Sequence, residues 1–303
     1  MNFKKLEVAD YAALKPYFDP IPYRLSIYSL PSLIAWGDCV FETRYAVEGD
    51  HLVIANESQL RPDDRHLILP VSPGGDPSPE RLRAIALESG HRRYWCACGN
   101  YVERHRQGLE PLFHIEEQPE FEDYVYLAED LAELRGNRFV RKRNLIHQFE
   151  REFMQNGTRA SVEPITRESV PECLAFLEAW CAQRDCDVDG ETDLACERRA
   201  VITSLEQLEA LDLRGILVRL DARVCAFGIA SRLSGDTGIL SYEKAFSDVK
   251  GLYQFLDREC AKRLFAGCRY INKESDMSLP NLAAMKRSYH PVLRVKSYKL
   301  TLR

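Results

Sequence analysis

The second half of the chain contains side chains that could move protons or bind charge. Glu243 lies in an apolar run that predicts a central strand, and burial there would raise the pKa of its carboxyl and suit it to general-base chemistry. A polar run after the next predicted strand contains Asn272, Lys273, Glu274 and Asp276. Ligands of open α/β sheets bind beyond the carboxyl ends of strands, so we expect this run to line a binding site.

Both groups also have structural interpretations. Neighbouring residues of a strand point to opposite faces of the sheet, so Glu243 and Lys244 cannot pair with each other. Either side chain could instead form a buried salt bridge with another partner. Lys273 and Asp276 could equally be solvated loop residues.

A predicted helix near the end of the sequence offers hydrogen-bond donors. Lys286 and Tyr289 are three residues apart and share one helical face, from which they could donate to a phosphate or to a leaving group. The alternative for Tyr289 is a core aromatic residue with a tethered hydroxyl. His147 and His290 could act as acid–base groups, but the favoured interpretation of each is a local hydrogen-bond partner.

Phosphate could bind where positive charge or free N–H groups collect. The helix predicted to begin at Gly251 presents free backbone N–H groups, and Lys250 could add a contact, unless it is simply solvated. Residues 135–149 and 281–303, here called the basic blocks, contain lysines and arginines but no acid. The net charge of −5 excludes a general nucleic-acid binder and leaves these blocks as candidate phosphate contacts or solvated surface.

Length and composition indicate a globular protein of two domains. The 303 residues, 45% hydrophobic and 29% charged, can bury a core in each half. No apolar run reaches the ~20 residues that cross a bilayer, and the first residues do not form a signal peptide, so we expect a cytoplasmic protein. The ten cysteines lack zinc-site spacing, so we expect no metal site and mostly buried, reduced thiols.

Hydrophobic periodicity divides the chain into two successive α/β units, residues 1–134 and 135–303. Each unit is predicted to have a strand, helices, a hairpin and then alternating strands and helices, which gives a mixed central sheet flanked by helices. Helices are predicted at Tyr11–Phe18 and Val102–Phe113, and one last strand at Val292–Leu302. The repeated order indicates a duplicated architecture.

This order is that of the GNAT acyltransferase fold, and five stretches narrow the resemblance. They are Tyr242-Glu243-Lys244-Ala245, Gly251-Leu252-Tyr253-Gln254, Tyr270 to Asp276, Lys286 to Pro291, and Arg141-Lys142-Arg143-Asn144 in a basic helix. Through them, residues 135–303 resemble an uncharacterised bacterial family related to the C-terminal domain of phosphatidylglycerol lysyltransferases. That family is similar in turn to the tandem-GNAT Fem-type aminoacyltransferases. The resemblance is weak before residue 135.

The resemblance implies transfer of an activated aminoacyl or acyl group to an amine or hydroxyl. Such chemistry needs a base for the nucleophile, donors for the developing oxyanion and charge to hold the carrier. The catalytic candidates are Glu243, Lys273, Glu274 and Tyr289. The candidates for binding substrate or carrier are Arg141, Arg143, Asn144, Lys250, Gly251, Tyr253, Asn272, Asp276 and Lys286.

The implied donor is aminoacyl-tRNA rather than acyl-CoA, with tRNA as a partner and no tightly bound cofactor. Asp248-Val249-Lys250-Gly251 stands where acyl-CoA users carry a Gly-x-Gly/Ala pyrophosphate loop. The implied acceptor is a small molecule, a lipid head group or a peptide, and the missing membrane half of the lysyltransferases disfavours the lipid. Alternatives are an acyl-CoA-dependent N-acetyltransferase and a non-catalytic binding or regulatory protein that kept the fold.

Overall fold

The first half of the chain forms most of one mixed sheet with helices packed against it. The computed structural model describes residues 1–19, 21–37, 39, 41–58, 63–155, 160–183 and 193–303. The strands of the first half are β1 (Lys4–Lys5), β2 (Phe41–Glu48), β3 (His51–Ser58), β4 (Arg65–Leu67), β5 (Arg93–Cys98), β6 (Phe113–Glu117) and β7 (Asp123–Leu127). The helices are α1 (Tyr11–Phe18), α2 (Leu30–Trp36), α3 (Pro79–Ser89), α4 (Gly99–Leu109) and α5 (Ala128–Glu133).

The second half repeats this arrangement. Its strands are β8 (Ala160–Pro164), β9 (Arg214–Leu220), β10 (Arg223–Arg232), β11 (Thr237–Ala245), β12 (Tyr270–Asn272), β13 (Leu293–Val295) and β14 (Ser297–Leu302). Its helices are α6 (Val140–Glu150), α7 (Val170–Ala182), α8 (Asp193–Glu206), α9 (Leu252–Leu264) and α10 (Pro280–Arg287). The mixed α/β fold predicted from the sequence is confirmed.

The two seven-stranded sheets exchange one strand each. The first sheet has the order β1-β2-β3-β4-β5-β14-β6, and the second has the order β13-β7-β12-β11-β10-β9-β8. The last strand of the chain therefore lies between β5 and β6, antiparallel to both. In return β7 lies between β12 and β13. Strands cross the predicted boundary at residue 134 in both directions, and neither sheet is complete without the other half of the chain.

Each sheet contains one parallel pair among its described strands. In the first sheet β4 is parallel to β5, and in the second β11 is parallel to β12. The remaining neighbours are antiparallel, as hairpins and the exchanged strands require. Strand order and the parallel pair thus coincide in the two halves, which confirms the predicted duplication.

One apolar core joins the two halves. It runs from the first sheet through α2 to α7 and α8, which cover one face of the second sheet, and includes Leu33, Phe176, Val201 and Phe227. A second core lies under α5, α6 and α9 on the other face of that sheet. Ion pairs also connect the halves, with Lys15 Nζ 2.8 Å from Asp212. Because the first core is continuous, the halves pack as one body rather than as independent lobes.

Two element predictions fail where the exchange takes place. The run Val292–Leu302 is not one strand but β13 and β14, which belong to different sheets. The helix predicted to reach Phe113 ends at Leu109, and Phe113 begins β6, which pairs with the exchanged β14. Other local signals hold: α1 spans Tyr11–Phe18 as predicted, and Gly90 ends α3 with a left-handed φ of 71°. In the described residues, no helix is long and apolar enough to cross a membrane.

Two of the cysteines form a bond that the sequence did not predict. Cys39 and Cys196 are joined by a disulfide between the segment after α2 and the helix α8. The expectation of reduced thiols is therefore wrong for this pair. Of the other described cysteines, four are buried and three are half-buried, and Cys186 lies outside the described residues.

Breaking this disulfide should destabilise the protein by about 2–4 kcal/mol, because it closes a loop across a sequence separation of 157 residues and restricts the unfolded chain. Urea unfolding of the oxidised protein, the reduced protein and the Cys39→Ser/Cys196→Ser variant measures the change. Cys268→Ser, at a free half-buried cysteine, is the matched control. Equal stability of the oxidised and double-serine proteins would contradict the expectation.

Candidate functional site

The parallel strands β11 and β12 separate in the middle of the second sheet. Their pairing ends at Ile239 and Asn272, whereas β11 continues to Ala245. Directly after β12, the ammonium of Lys286 on α10 donates hydrogen bonds to the backbone carbonyls of residues 273, 274 and 275. The distances are 3.1 Å for residue 274 and 2.7 Å for residue 275. This ammonium supplies hydrogen bonds that β11 no longer provides to the diverging segment.

Lys286 is consequently an internal support rather than a phosphate ligand on the surface. The residue is 6% exposed. Burial lowers the pKa of its ammonium to about 8, although Glu274 and Asp123 favour the charged form. Tyr126 donates its hydroxyl to the Lys286 carbonyl at 2.8 Å, so β7 also holds α10 in place.

Glu243 and Lys273 meet on the face of the second sheet that α9 covers. Lys273 Nζ lies 2.7 Å from Oε2 of Glu243 and 2.9 Å from Oδ2 of Asp257, which belongs to α9. The side chains of Lys273 and Asp257 are each 5% exposed. The structure therefore brings two predicted catalytic residues together, but as a buried triad with Asp257, and Lys273 is not a solvated loop residue.

In this triad the ammonium of Lys273 pairs with two carboxylates, those of Glu243 and Asp257. Burial raises the pKa of Glu243 to about 7, and Asp257 adds to that rise while Lys273 opposes it. Burial alone would lower the pKa of Lys273, but Asp257 and Glu243 outweigh it and raise that pKa above its usual value. Glu243 is already engaged by Lys273, so the arrangement favours the structural interpretation of this carboxylate.

Tyr289 and Lys142 pack beside the triad, on the side that faces α6. Lys142 Nζ lies 3.8 Å from the centre of the Tyr289 ring, and Lys273 Nζ lies 5.2 Å from it. Tyr289 is 4% exposed, and burial raises the pKa of its hydroxyl. It is thus the core aromatic that the sequence left as an alternative. Lys142 is the member of the basic helix that reaches this cluster, rather than Arg141 or Arg143.

Asn272 connects the two halves of the protein. Its Nδ2 donates to the Arg24 carbonyl at 2.7 Å and to Asp123 Oδ2 at 2.8 Å, while its Oδ1 accepts the backbone N–H of Glu274. Asp123 also accepts the backbone N–H of Ser26. Burial raises the pKa of the Asp123 carboxyl against these hydrogen bonds. The side-chain amide of Asn272 therefore forms its hydrogen bonds within the protein rather than with a substrate.

A cleft with a volume of about 440 Å³ opens between the two halves next to this junction. Its size is that of a small-ligand site. Most of its wall is apolar, and these residues are Leu25, Ile27, Leu33, Trp36, Phe41, Trp95, Phe121 and Met277. Its polar lining includes Thr43, Asn56, His66, Asp123, Glu274 and Ser275, and both cysteines of the disulfide also line it. We call it the inter-domain cleft.

Glu274 is the carboxylate of the inter-domain cleft that lacks a partner. Within the described part of the chain, its side chain makes no hydrogen bond and no ion pair. Its backbone φ of 61° lies in the left-handed region, which is strained for a residue with a side chain. Strain of this kind is concentrated at functional sites, so it marks Glu274 as a functional candidate.

The surroundings of Glu274 raise the pKa of its carboxyl into the neutral range. Burial raises the pKa of its carboxyl to about 8; Lys286 and Lys244 oppose this rise, and Asp123 and Glu197 add to it. Lys244 itself is paired, with Nζ 2.7 Å from Glu197 on α8. A carboxyl that is unpaired, faces an apolar cleft and titrates near neutrality can accept a proton from a bound nucleophile. Of the four predicted catalytic residues, Glu274 alone has this arrangement.

Two other predicted binding residues make structural contacts, and a third lies at the surface. Asp276 accepts the Tyr124 hydroxyl and the backbone N–H of Ser278. The Tyr253 hydroxyl accepts the indole N–H of Trp180 at 3.3 Å. Asn144 is exposed on α6 and lines none of the features described above.

Helix α6 covers the predicted anion site at the start of α9. A Cβ on Gly251 would lie 2.2 Å from the carbonyl oxygen of Leu145, and the glycine has a φ of 85°. Only glycine permits this close approach of the two helices. A phosphate cannot reach Gly251 from that side, and Lys250 is exposed to solvent beside it.

The basic blocks are largely neutralised by acids from elsewhere in the chain. Ion pairs join Arg135 to Glu129, Arg138 to Asp130, Arg294 to Glu122, Lys296 to Glu117 and Lys299 to Glu116. Arg143 donates instead to the carbonyls of Leu134 and Gly136. Arg141 and Arg287 are exposed and have no ion pair among the described residues. The charge available for a polyanion is therefore much smaller than the sequence suggests.

Sequence reasoning missed three residues that reach the triad or the inter-domain cleft from elements distant along the chain. Asp257 pairs with Lys273 from α9, and Asp123 and His66 reach the inter-domain cleft from β7 and β4. An acid inside the apolar stripe of a helix, as Asp257 is next to Leu256, is a signal that could have been used. No comparable pattern marks His66, because strand β4 is only three residues long.

Fold and site together define a tandem GNAT-like protein whose cleft lies between its two units. A sequence model described as phosphatidylglycerol lysyltransferase, C-terminal, matches residues 28–301, and the chain belongs to this family. No curated protein matches the sequence.

Solved structures share the complete fold. A conserved protein of unknown function from Bacteroides thetaiotaomicron has 28% sequence identity and a TM-score of 0.89, with 100% of both chains covered. A domain described as the C-terminal part of a lysylphosphatidylglycerol synthetase from Agrobacterium fabrum has 13% identity and a TM-score of 0.65, with 97% of this chain and 92% of that chain covered. FemX has 9% identity and a TM-score of 0.62, with 99% and 97% covered. At such low identity the last two show the fold alone.

Replacing Lys273 by methionine should lower the free energy of unfolding by about 3–5 kcal/mol, because Glu243 and Asp257 would remain buried without their cation. Lys250→Met, at an exposed lysine, is the control and should change it by less than about 0.5 kcal/mol. Urea unfolding followed by circular dichroism measures both. Similar stability of the two variants would show that the triad does not support the fold.

Proposed function

We propose that this protein is an aminoacyl- or acyltransferase whose donor and acceptor meet in the inter-domain cleft, with Glu274 as the general base. The observation that carries this proposal is the unpaired Glu274 carboxylate at the point where β11 and β12 separate. Membership of the phosphatidylglycerol lysyltransferase C-terminal family supports the reaction class. Glu274, also a catalytic candidate from the sequence, takes the role of base that the sequence suggested for Glu243.

The proposed reaction joins an acyl carbon to an amine or hydroxyl of the acceptor. Glu274 takes the proton of the attacking group as the new bond forms to the acyl carbon. The bond from that carbon to the carrier oxygen then breaks, and the proton passes to the departing oxygen. The apolar wall of the cleft supports this chemistry because it limits water, which would otherwise hydrolyse the activated donor.

An aminoacyl ester of tRNA remains the proposed donor, and acyl-CoA is the weaker candidate. The covered start of α9 supports this order, because acyl-CoA users need an open helix N-terminus for the pyrophosphate. The neutralised basic blocks argue for a small contact with the carrier, centred on Arg141 and Arg287, rather than an extended one. The proposed acceptor is a small molecule, a peptide or a lipid head group.

Glu274→Gln should lower the transfer rate by roughly 10²–10⁴-fold, since the amide cannot accept the proton of the nucleophile. Mixed tRNA charged with labelled amino acids serves as donor, and transfer of label to small amines, peptides or phosphatidylglycerol vesicles is measured. The wild-type rate should rise with pH and level off above a pH of about 8, because the base works in its deprotonated form.

Glu243→Gln is the comparison that separates the two carboxylates. It should keep most of the activity at temperatures where it is folded, since Glu243 is engaged by Lys273 outside the cleft. Full activity of Glu274→Gln would refute the assigned base. Absence of transfer by the wild type with every donor, including acyl-CoA, would instead favour a binding protein that kept the fold.

A further inference from the structure

A row of polar side chains crosses the first sheet and reaches the inter-domain cleft. Thr43, Asn56 and His66 are register partners on β2, β3 and β4. The His66 ring stacks on that of Trp95 from β5, with ring centres 4.4 Å apart and planes 14° from parallel. All four residues line the cleft. This row belongs to the first half of the chain, whereas Glu274, which lines the same cleft, belongs to the second.

The hydrogen bonds along the row determine where the His66 proton lies. Thr43 Oγ1 donates to Asn56 Oδ1 at 2.8 Å, which leaves the Asn56 Nδ2 group facing His66 Nε2 at 3.2 Å. Nδ2 is a donor only, so Nε2 must accept. Burial lowers the pKa of His66 to about 3, with His91 and Arg93 adding to this, so the ring is neutral. The remaining proton is therefore on Nδ1.

The row ends in two N–H donors without acceptors. In the part of the chain that the structure describes, the Nδ1 atom of His66 and the Nε1 atom of Trp95 are buried and have no hydrogen-bond partner. A buried donor left without a partner costs about 1–3 kcal/mol, so two on adjacent stacked rings call for a missing acceptor. The His66 residue is 5% exposed, which makes solvent a poor substitute.

The surroundings restrict which acceptor can bind. Phe41 packs edge-on against His66 and Trp95, at ring-centre distances of 5.0 Å and 6.3 Å. Among the described residues that line the cleft, the ionisable groups apart from thiols are the carboxyls of Asp123 and Glu274 and the neutral His66 ring, so an anion finds no cation to pair with. A neutral acceptor on an apolar body satisfies both conditions. Ester and amide carbonyls are such acceptors.

We propose that His66 and Trp95 form a recognition subsite for an aromatic or apolar ligand that presents a neutral carbonyl oxygen. The two N–H groups donate to that oxygen, and the rings of Phe41 and Trp95 contact the apolar body. The subsite rests on the proposed function in that it lies in the same cleft as Glu274. The subsite determines which ligand binds in the cleft, whereas Glu274 accepts the proton of the attacking group.

A pair of probes that differ in one carbonyl tests this subsite. Phenylalaninamide carries an aromatic ring, an amine and an amide carbonyl, and 2-phenylethylamine carries the ring and the amine alone. At a pH of about 6 both amines are protonated, so their charge is equal. Wild-type protein should bind phenylalaninamide roughly 10-fold more tightly by titration calorimetry, since two N–H donors gain an acceptor.

Trp95→Phe keeps the aromatic wall and removes one donor, so it should reduce that preference by about 2–10-fold. Trp36→Phe is the matched control, because the Trp36 side chain lines the same cleft but the residue is 36% exposed, whereas the Trp95 indole N–H is buried without a partner among the described residues. It should leave the preference unchanged. Thermal unfolding verifies that both variants are folded.

Equal binding of the two probes by the wild type, or an unchanged preference in Trp95→Phe, overturns the subsite. A crystal structure with bound phenylalaninamide is a second test. The amide oxygen should lie within about 3.2 Å of both His66 Nδ1 and Trp95 Nε1. A water in that position, with the probe elsewhere, also overturns it. Binding needs no turnover, so loss of the carbonyl preference with intact Glu274-dependent transfer refutes the subsite alone, and the reverse result refutes the transferase alone.

Discussion

The separation of β11 from β12 is the constraint on which the rest of the second half depends. A sheet that opens in its interior removes ladder hydrogen bonds from buried backbone, and these must be replaced. Lys286 replaces them by donating one ammonium to three successive carbonyls. Because this support comes from α10 and not from a strand, the segment after Asn272 can turn Lys273 toward α9 and Glu274 toward the cleft. Two adjacent charged residues thereby enter different environments.

The exchanged strands make this arrangement a property of the whole chain. β7 carries Asp123 into the second sheet, beside Asn272, and β14 completes the first sheet, which holds His66 and Trp95. Each sheet is therefore completed by a strand from the other half, and on the side of the second sheet the cleft is lined by Asp123 from the first half and Glu274 from the second. The continuous core between the sheets limits their relative motion, so the cleft is largely formed before any ligand binds.

Much of the fold could be predicted because local signals were strong. The helix Tyr11–Phe18, the hairpin of β2 and β3, and the cap of α3 at Gly90 follow from periodicity and turn chemistry. Prediction failed at β6 and at Val292–Leu302, where strand identity depends on pairing with a distant segment. For the site, the region was predicted but the roles were not. Glu243 and Glu274 are both acids beside apolar strands, and nothing local tells which one meets Lys273.

The sequence by itself determined the α/β class, the duplicated order of elements and the polar run at residues 272–276, because these depend on neighbours along the chain. Tertiary structure alone decided which charges are paired. The basic blocks lose their charge to acids such as Glu117 and Asp130, and Asp257 engages Lys273, because Coulombic partners are selected by distance in space. Glu274 is left unpaired for the same reason: no cation of the described residues lies within contact distance of its carboxylate in the fold.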